Sequence, residues 1–309
     1  MLGTKPSLDL ESRRELASLI RGKVRFDVPM SQHTTFGVGG LADAWTEPAD
    51  EKDLANILDF CHSNGMERFI LGHGTNLLVR DGGIRGIVIR LCADRFREIR
   101  IEGGRVIAGA GTPNTRLIDA LKAAGLSGLE FICGIPGCVG GGVAMNAGAH
   151  GSCFADWLSE ITIMENSAGT VRTIPRNKMD FEYRNVRNLG DAIVLNATFD
   201  LKREAKGKIS ARVSELLEIR NTTQPKGSSP GCVFKNPAGQ SAGYIIDSLG
   251  LKGLRVGGAW VSNLHGNFIL NDRKASSRDI LELIEKIRNA VFERAGIRLE
   301  TEIKVVGEP

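Results

Sequence analysis

Gly72-His73-Gly74-Thr75-Asn76-Leu77-Leu78-Val79 decides which nucleotide fold this chain can adopt. Two glycines one residue apart, after the apolar run Arg68-Phe69-Ile70-Leu71, imitate the opening of a dinucleotide fingerprint. The imitation fails twice. Leu77 stands where the third glycine belongs, and the residues after it read as a strand running to Asp81-Gly82-Gly83 instead of a helix. A phosphate here is therefore held by a turn of backbone amides and by the Thr75 and Asn76 side chains, without a helix dipole.

A second glycine-dense stretch lies further along: Gly134-Ile135-Pro136-Gly137-Cys138-Val139-Gly140-Gly141-Gly142-Val143-Ala144-Met145-Asn146-Ala147-Gly148-Ala149. Its glycines and Pro136 do little to fill a core, and glycine at such density costs folding entropy. That cost is accepted where backbone must approach something flat or phosphorylated. Ala, Met and Asn among the glycines suit a wall against a planar ring, with Asn146 able to bond its edge. A tight crossing of two backbones with no ligand is the competing reading. Two such turns, each beside a strand, suit the two ends of one extended dinucleotide.

The rest of the composition narrows the function class. The chain has 309 residues, 42% hydrophobic and 25% charged, an ordinary globular balance whose length suggests two or three domains. Aromatics are 6%, with two tyrosines, too few for a base-stacking surface. A net charge of +4 is spread over interspersed acids and bases, which argues against a nucleic-acid partner and suits attraction of small anions such as nucleotides. No run approaches the ~18 apolar residues of a membrane span. Residues 1–25 carry acids and bases throughout and lack an apolar signal core. The expected compartment is the cytoplasm, where Cys61, Cys92, Cys133, Cys138, Cys153 and Cys232 stay thiols. Cys133, Cys138, His150 and Cys153 fit neither zinc nor iron–sulfur spacing, so no metal is expected.

Caps and stripes give the elements. Asp50 opens a helix with Leu54, Ile57, Leu58 and Cys61 on one face and Gly65 at its stop. Thr112-Pro113 caps a second, striped by Leu117, Ile118, Leu121 and Ala124 and ended by Gly125. Strands are expected at 68–71, 77–79, 86–91, 105–108, 161–164 and 191–201. The charged residues 202–208 read as a flexible domain boundary. Beyond it come a helix to about residue 220, a polar loop over 221–231, a short strand at 232–234 and a helix over 241–249. Ile280, Leu283, Ile284, Ile287 and Val291 mark a long amphipathic helix. Alternation over 297–305 predicts a closing strand with Glu300, Glu302 and Lys304 on one face.

His33-Thr34-Thr35-Phe36-Gly37-Val38-Gly39-Gly40 precedes the two glycine turns. Tyr183-Arg184, Gly231-Cys232-Val233-Phe234-Lys235-Asn236-Pro237, Ala242-Gly243, Gly250-Leu251-Lys252-Gly253, Gly257-Gly258-Ala259 and Asn267-Phe268-Ile269-Leu270-Asn271 come after them in order. The ordered set resembles the UDP-N-acetylenolpyruvoylglucosamine reductase family over residues 31–306. The resemblance implies an α+β fold. After an N-terminal segment of residues 1–30 comes a two-lobed, non-Rossmann FAD-binding domain (PCMH or vanillyl-alcohol-oxidase-like) over 31–202, then an α+β substrate-binding domain over 203–309. It implies non-covalent FAD, NADPH as co-substrate, and reduction of UDP-N-acetylglucosamine enolpyruvate to UDP-N-acetylmuramate for peptidoglycan, with no obligatory protein partner. The short, tyrosine-free stretch 185–192 resembles the family branch that lacks a tyrosine-bearing insertion.

On that resemblance the flavin is held by Gly72, His73, Gly74, Thr75, Asn76 and Leu77, and by Gly134, Ile135, Pro136, Gly137, Gly140, Gly141, Asn146, Ala147 and Gly148. Arg184 matches the catalytic arginine, its planar fork suited to a carboxylate or enolate; a surface arginine beside Arg187 is the plain alternative. Glu302 matches the second acid of the family's Glu-Pro-Glu pattern, with Thr301 in the proline's place, and would polarise the enolpyruvyl group. Cys232 stands where the family mostly has serine as proton donor. With a reference pKa of about 8.5, a thiol is the better acid and the poorer hydrogen-bond donor. Tyr183, Arg220, Lys235, Asn236, Lys252 and His265 are candidate contacts to the sugar nucleotide. Two other functions stay open: a flavin-dependent alcohol oxidase of the same fold, tethering flavin through His73, and a non-catalytic nucleotide-binding module.

Overall fold

The computed structural model describes residues 8–165 and 169–309. Residues 1–7, part of the expected N-terminal segment, lie outside the described residues. The chain forms two compact units, one of Met1–Phe26, Ala44–Gly72 and Gly86–Ile219, the other of Asp27–Asp43, His73–Arg85 and Arg220–Pro309.

The first unit carries helices α1 (Leu10–Leu19), α2 (Glu51–Ser63), α3 (Asn114–Ala124), α4 (Val139–Ala144) and most of α5 (Lys206–Thr223). Asp50 caps α2 by accepting from the Lys52 and Asp53 amides. Gly125, at φ +67, closes α3. Thr112 does not cap α3: the N-cap is Pro113, and no side chain bonds the first turn. A five-stranded antiparallel sheet runs in the order Val171–Pro175, Leu158–Met164, Ile193–Asp200, Arg105–Gly109, Ile99–Glu102. Arg68–Ile70 pairs in parallel with residues 87–89. The α2 and α3 stripes are buried with Val106, Ala108, Ile161, Ala197 and Phe199 in one core, each large side chain contributing about 1.5–3 kcal/mol.

The expected boundary at residues 202–208 is corrected. Lys202–Arg203 pairs with Leu126–Ser127. On α5, Ile209 and Val213 are buried in the first core, and Arg212 bridges Glu130 at 2.7 Å and Glu204 at 3.1 Å. A run of charge reads as solvated linker, but here it is a short paired strand followed by the exposed first turn of a packed helix.

The second unit is assembled from three chain segments, because Phe36, Val38 and Leu78 share a core with residues after 230. It carries α6 (Ala242–Ser248) and α7 (Ser277–Ala295). A three-stranded antiparallel sheet joins Arg255–Val256, Ala259–Val261 and Ile269–Asn271. Ser276 and Asp279 form a capping box at the start of α7, and Gly296, at φ +68, ends it. Its apolar stripe fills the core with Phe234, Ala242 and Ile246. Leu77–Val79 pairs in parallel with Lys304–Val306.

The closing strand is shorter than its alternation predicts. Thr301 bridges Phe234, whereas Lys304 pairs with Leu77, so the chain changes partners across a bend at 302–303. The face-sharing of Glu300, Glu302 and Lys304 is lost at that bend. The expected strand at 232–234 is likewise reduced to single bridges, Cys232 to Phe268 and Phe234 to Thr301. No helix among the described residues is long and apolar enough to cross a membrane.

Candidate active site

In the first unit the glycine-dense stretch forms a turn, the short helix α4 and a hairpin. Gly134 and Gly137 have φ of +71 and +141, which glycine adopts at little cost. Packing explains several others. A Cβ would lie 2.8 Å from Ala110 Cβ at Gly140, 2.5 Å from the Phe154 ring at Gly142, 2.5 Å from Ser152 O at Gly148, and 2.8 Å from Cys138 Sγ at Gly72. These four answer to close packing, against side chains at residues 140, 142 and 72 and against backbone at 148. Gly141 does not: a Cβ there would meet nothing nearer than Cys138 Sγ at 3.9 Å. Glycine within a helix costs about 1 kcal/mol relative to alanine, and no protein atom accounts for it at Gly141.

Two buried oxygens belong to residues that grip this stretch, Thr112 Oγ1 and Asn114 Oδ1, neither with a hydrogen-bond partner among the described residues. The Val139 amide donates to Thr112 O (3.0 Å) and the Asn114 amide to Gly137 O (3.1 Å). Asn114 Nδ2 donates to Ile135 O at 3.1 Å. An unmet buried polar atom costs about 1–3 kcal/mol, and hydroxyl or ring N–H groups of a ligand would satisfy it. An open position at residue 141, and two orphan oxygens on residues bonded to the same stretch, fit a flat cofactor bearing donors, as FAD does. Sequence reading missed both residues; their signal is a pair of small polar side chains flanking Pro113 that do not serve as a cap. Burial pushes the Cys138 thiol up, against amide bonds from Gly141 and Gly140 and the nearby charges of Arg90 and Arg97. No group of three or more His, Cys, Asp or Glu among the described residues could hold a metal.

Asn146 has protein partners of its own. It is buried at φ +41. Its Nδ2 donates to Glu182 O (2.9 Å) and its Oδ1 accepts from the Ala155 amide (3.1 Å). These bonds tie the hairpin of Phe181–Glu182 and Asn185–Val186 to the glycine stretch and leave one N–H and one lone pair of the carboxamide for a ring edge. Tyr183 and Arg184 form the tip of that hairpin. Arg184 has φ +58, a left-handed conformation costing a non-glycine residue about 1–2 kcal/mol, and such outliers gather at functional positions. Its Nη2 donates to Gly148 O at 2.7 Å, and its guanidinium lies 5.0 Å from the centre of the half-exposed Tyr183 ring. Arg187 instead pairs with Glu182. Arg184 therefore stands at the end of the glycine stretch.

In the second unit, Gly74 tucks under the His33 segment: at φ +64, a Cβ would lie 2.0 Å from His33 O. The Thr35 amide and hydroxyl donate to Gly74 O at 3.1 and 3.3 Å. The turn leads to Asn76, whose Nδ2 donates to Glu302 O (3.1 Å) and whose O accepts from the Lys304 amide (3.0 Å). On its other side the Glu302 amide donates to Val233 O at 2.7 Å, next to Cys232. The structure thus brings Asn76, Cys232 and Glu302 onto adjoining backbone. Asn267 organises the Cys232 side, with Oδ1 accepting from the Phe234 amide and Nδ2 donating to Phe234 O, both at 2.8 Å. Its role is invisible until the bridge at Phe268 is known.

Four of the six candidate substrate contacts are hydrogen-bonded or paired within the second unit. Lys235 pairs with Glu300 (3.3 Å) and Lys252 with Asp247 (2.5 Å). Asn236 Oδ1 accepts from the Ala242 amide at the start of α6 (3.0 Å). His265 Nδ1 accepts from the Asn267 amide (3.2 Å), with its ring edge-on to Phe268. Lys235 and Asn236 stand with Cys232 and Glu302, while Lys252 and His265 gather beside α6. Arg220, in the last turn of α5, is joined to neither set by these bonds.

Burial, then the Lys252 charge, holds the His265 imidazole below its ordinary range. The folded protein thus binds that proton less readily than the unfolded chain. The stability His265 contributes is whole above about pH 6.5 and is lost as pH falls toward its lowered folded value. Urea midpoints at pH 7.5 and 5.5 should show this loss, and a smaller one in His265→Gln. Equal losses would place the titration elsewhere.

Residues 224–306 match the family model for UDP-N-acetylenolpyruvoylglucosamine reductase, C-terminal domain, and residues 42–174 match an FAD binding domain. A UDP-N-acetylenolpyruvoylglucosamine reductase from Geobacter metallireducens is 44% identical over 295 residues, 95% of this chain and 97% of its own. One from Clostridium novyi is 38% identical over 98% of each chain. The solved reductase structure from Thermus caldophilus aligns with a TM-score of 0.80 at 37% identity, covering 93% of this chain and 99% of its own. A vanillyl-alcohol-oxidase-type flavoprotein from Myceliophthora thermophila aligns with a TM-score of 0.53 at 12% identity, over 97% of this chain and 64% of its own, a likeness of fold alone.

Proposed function

Because the chain belongs to the UDP-N-acetylenolpyruvoylglucosamine reductase family, we propose that Arg184, Cys232 and Glu302 carry its reaction, the FAD-dependent, NADPH-consuming reduction of UDP-N-acetylglucosamine enolpyruvate to UDP-N-acetylmuramate. Bound FAD supplies the hydride chemistry. The chain's own work is to hold the substrate carboxylate, steady the charge that develops beside it and deliver one proton. Arg184 grips the carboxylate, its fork oriented by the bond to Gly148 O. Glu302 polarises the enolpyruvyl group. Cys232 gives its thiol proton to the carbon next to the carboxylate; the S–H bond breaks as the C–H bond forms, and the thiolate recovers a proton from solvent.

The observation that carries these roles is the 2.7 Å bond from the Glu302 amide to Val233 O, which sets the glutamate's backbone one residue from the thiol-bearing one. Tyr183, Arg220, Lys235, Asn236, Lys252 and His265 contact the sugar nucleotide. Lys235 and Lys252 exchange Glu300 and Asp247 for phosphate when it arrives. The flavin is non-covalent, with no tether through His73, and the enzyme works in the cytoplasm, where NADPH keeps it supplied. The test is direct: the purified protein is yellow, bleaches with NADPH, and recovers its colour without oxygen when the enolpyruvyl sugar nucleotide is added. Bleaching by an alcohol in place of NADPH, or no recovery with the sugar nucleotide, would overturn the reading.

The flavin wall makes a separate prediction. Gly141→Val puts a branched side chain into the open position, where a Cβ meets nothing nearer than Cys138 Sγ at 3.9 Å. FAD affinity, titrated into apoprotein, should weaken at least about tenfold, or about 1.4 kcal/mol. Wild-type affinity would move the flavin away from this stretch.

A further inference from the structure

We propose that Asn76 is the residue that positions Glu302 for proton and charge work, beyond any contact it makes with the flavin. Glu302 sits where regular pairing fails: Thr301 belongs to Phe234, Lys304 belongs to Leu77, and residues 302–303 form the bend between. A bend outside a ladder keeps its two dihedrals free unless its peptide groups are held from elsewhere. Here they are held from two sides. The Glu302 amide donates to Val233 O, and the Glu302 carbonyl accepts from Asn76 Nδ2. Asn76 also receives the Lys304 amide on its own carbonyl, so one residue clamps the chain on both sides of Ile303, which is itself buried. The clamp fixes where the Glu302 Cβ leaves the backbone. It also ties the glutamate to the turn begun by Gly74, whose position is set by the His33 and Thr35 segment. Cofactor turn and catalytic acid are thereby one mechanical piece within the second unit.

The inference rests on the role of Glu302 given above, and its test separates the two. Asn76→Ala and the isosteric Asn76→Asp, which turns a carboxylate oxygen toward the Glu302 carbonyl, are each loaded with FAD to saturation as judged by titration. Bleaching by NADPH and recovery by the enolpyruvyl sugar nucleotide are followed separately, with amide exchange at residues 302–304 as a readout independent of activity. In both loaded variants recovery should slow at least about tenfold beyond any change in bleaching, with exchange raised at 302–304. A purely cofactor-binding Asn76 would show no defect once loaded; wild-type recovery and unchanged exchange in both variants would overturn the proposal. Glu302→Gln is run beside them. If it too recovers normally, the role of Glu302 is wrong and the inference falls with it; if it is slow while the Asn76 variants are normal, the inference alone falls. Should Asn76→Ala fail to fold, Asn76→Asp carries the decision.

Discussion

Replacing Glu302 by Gln, or Arg184 by Ala, should leave the flavin reducible by NADPH and slow its reoxidation by the enolpyruvyl sugar nucleotide by two or more orders of magnitude. That is the usual scale for losing one charge-stabilising or proton-handling group. The two variants should differ in their second signature. Arg184 holds a ground-state carboxylate as well as the developing charge, so Arg184→Ala should also raise the substrate concentration needed for half-maximal reoxidation. Glu302→Gln keeps the shape and should not. Stopped-flow absorbance reports both. Reoxidation at the wild-type rate in either variant would remove that residue from the mechanism. Arg184→Ala also relieves nothing in the backbone, because alanine at φ +58 is as strained as arginine. Arg184→Gly would fit the turn better, and comparing the two separates loss of the guanidinium from distortion of the hairpin.

The second large effect belongs to Cys232. Cys232→Ser should remain active, because a hydroxyl can pass the same proton, whereas Cys232→Ala should bleach with NADPH and fail to recover with substrate. A small alkylating agent should inactivate the wild type, with saturating substrate protecting it, and should spare Cys232→Ser, since an alcohol is not alkylated under conditions that modify thiols. The remaining thiols are poor competitors. Burial pushes Cys61 up to about 11. It also raises Cys92 and Cys153, with Glu47 and Asp156 adding to it. Cys133 and Cys138 are buried. Equal inactivation of the wild type and the serine variant would assign the reactive thiol elsewhere. Near-normal turnover by the alanine variant would leave Cys232 a packing residue.

Much of this was legible in the chain. Asp50, Gly125 and the stripe on α7 announce their helices because caps and 3.6-residue periodicity are local facts. Leu77 in place of a third glycine rules out a Rossmann turn for the same reason. The features that escaped sequence reading depend on partners far along the chain. Nothing near Lys206 says that Ile209 and Val213 find the first core. Nothing near Glu302 says that its neighbours pair with two different strands, so the alternation there suggests a continuous one. The structural bonds of Asn146 to Glu182 O and the Ala155 amide are set by tertiary structure, so among glycines it reads as a ligand residue alone. Asn114 looks like ordinary helix sequence until Ile135 and Gly137 come beside it.

The second unit's three-segment construction has a consequence for synthesis on the ribosome. Phe36, Val38 and Leu78 emerge early, yet the helix that shares their core, α7, and the strand that pairs with Leu77–Val79 come near the other end of the chain. Asn76 waits through 226 residues for Glu302, which at about 5–20 residues per second is roughly 10–45 s of exposure. During that interval the nascent chain presents apolar side chains and an unpaired strand edge with no native partner yet made, so holdase chaperones have a defined window in which to act. A fragment that begins at residue 203 would escape the wait but lack Phe36, Val38 and Leu78 altogether, and should emerge from the ribosome unable to close its core.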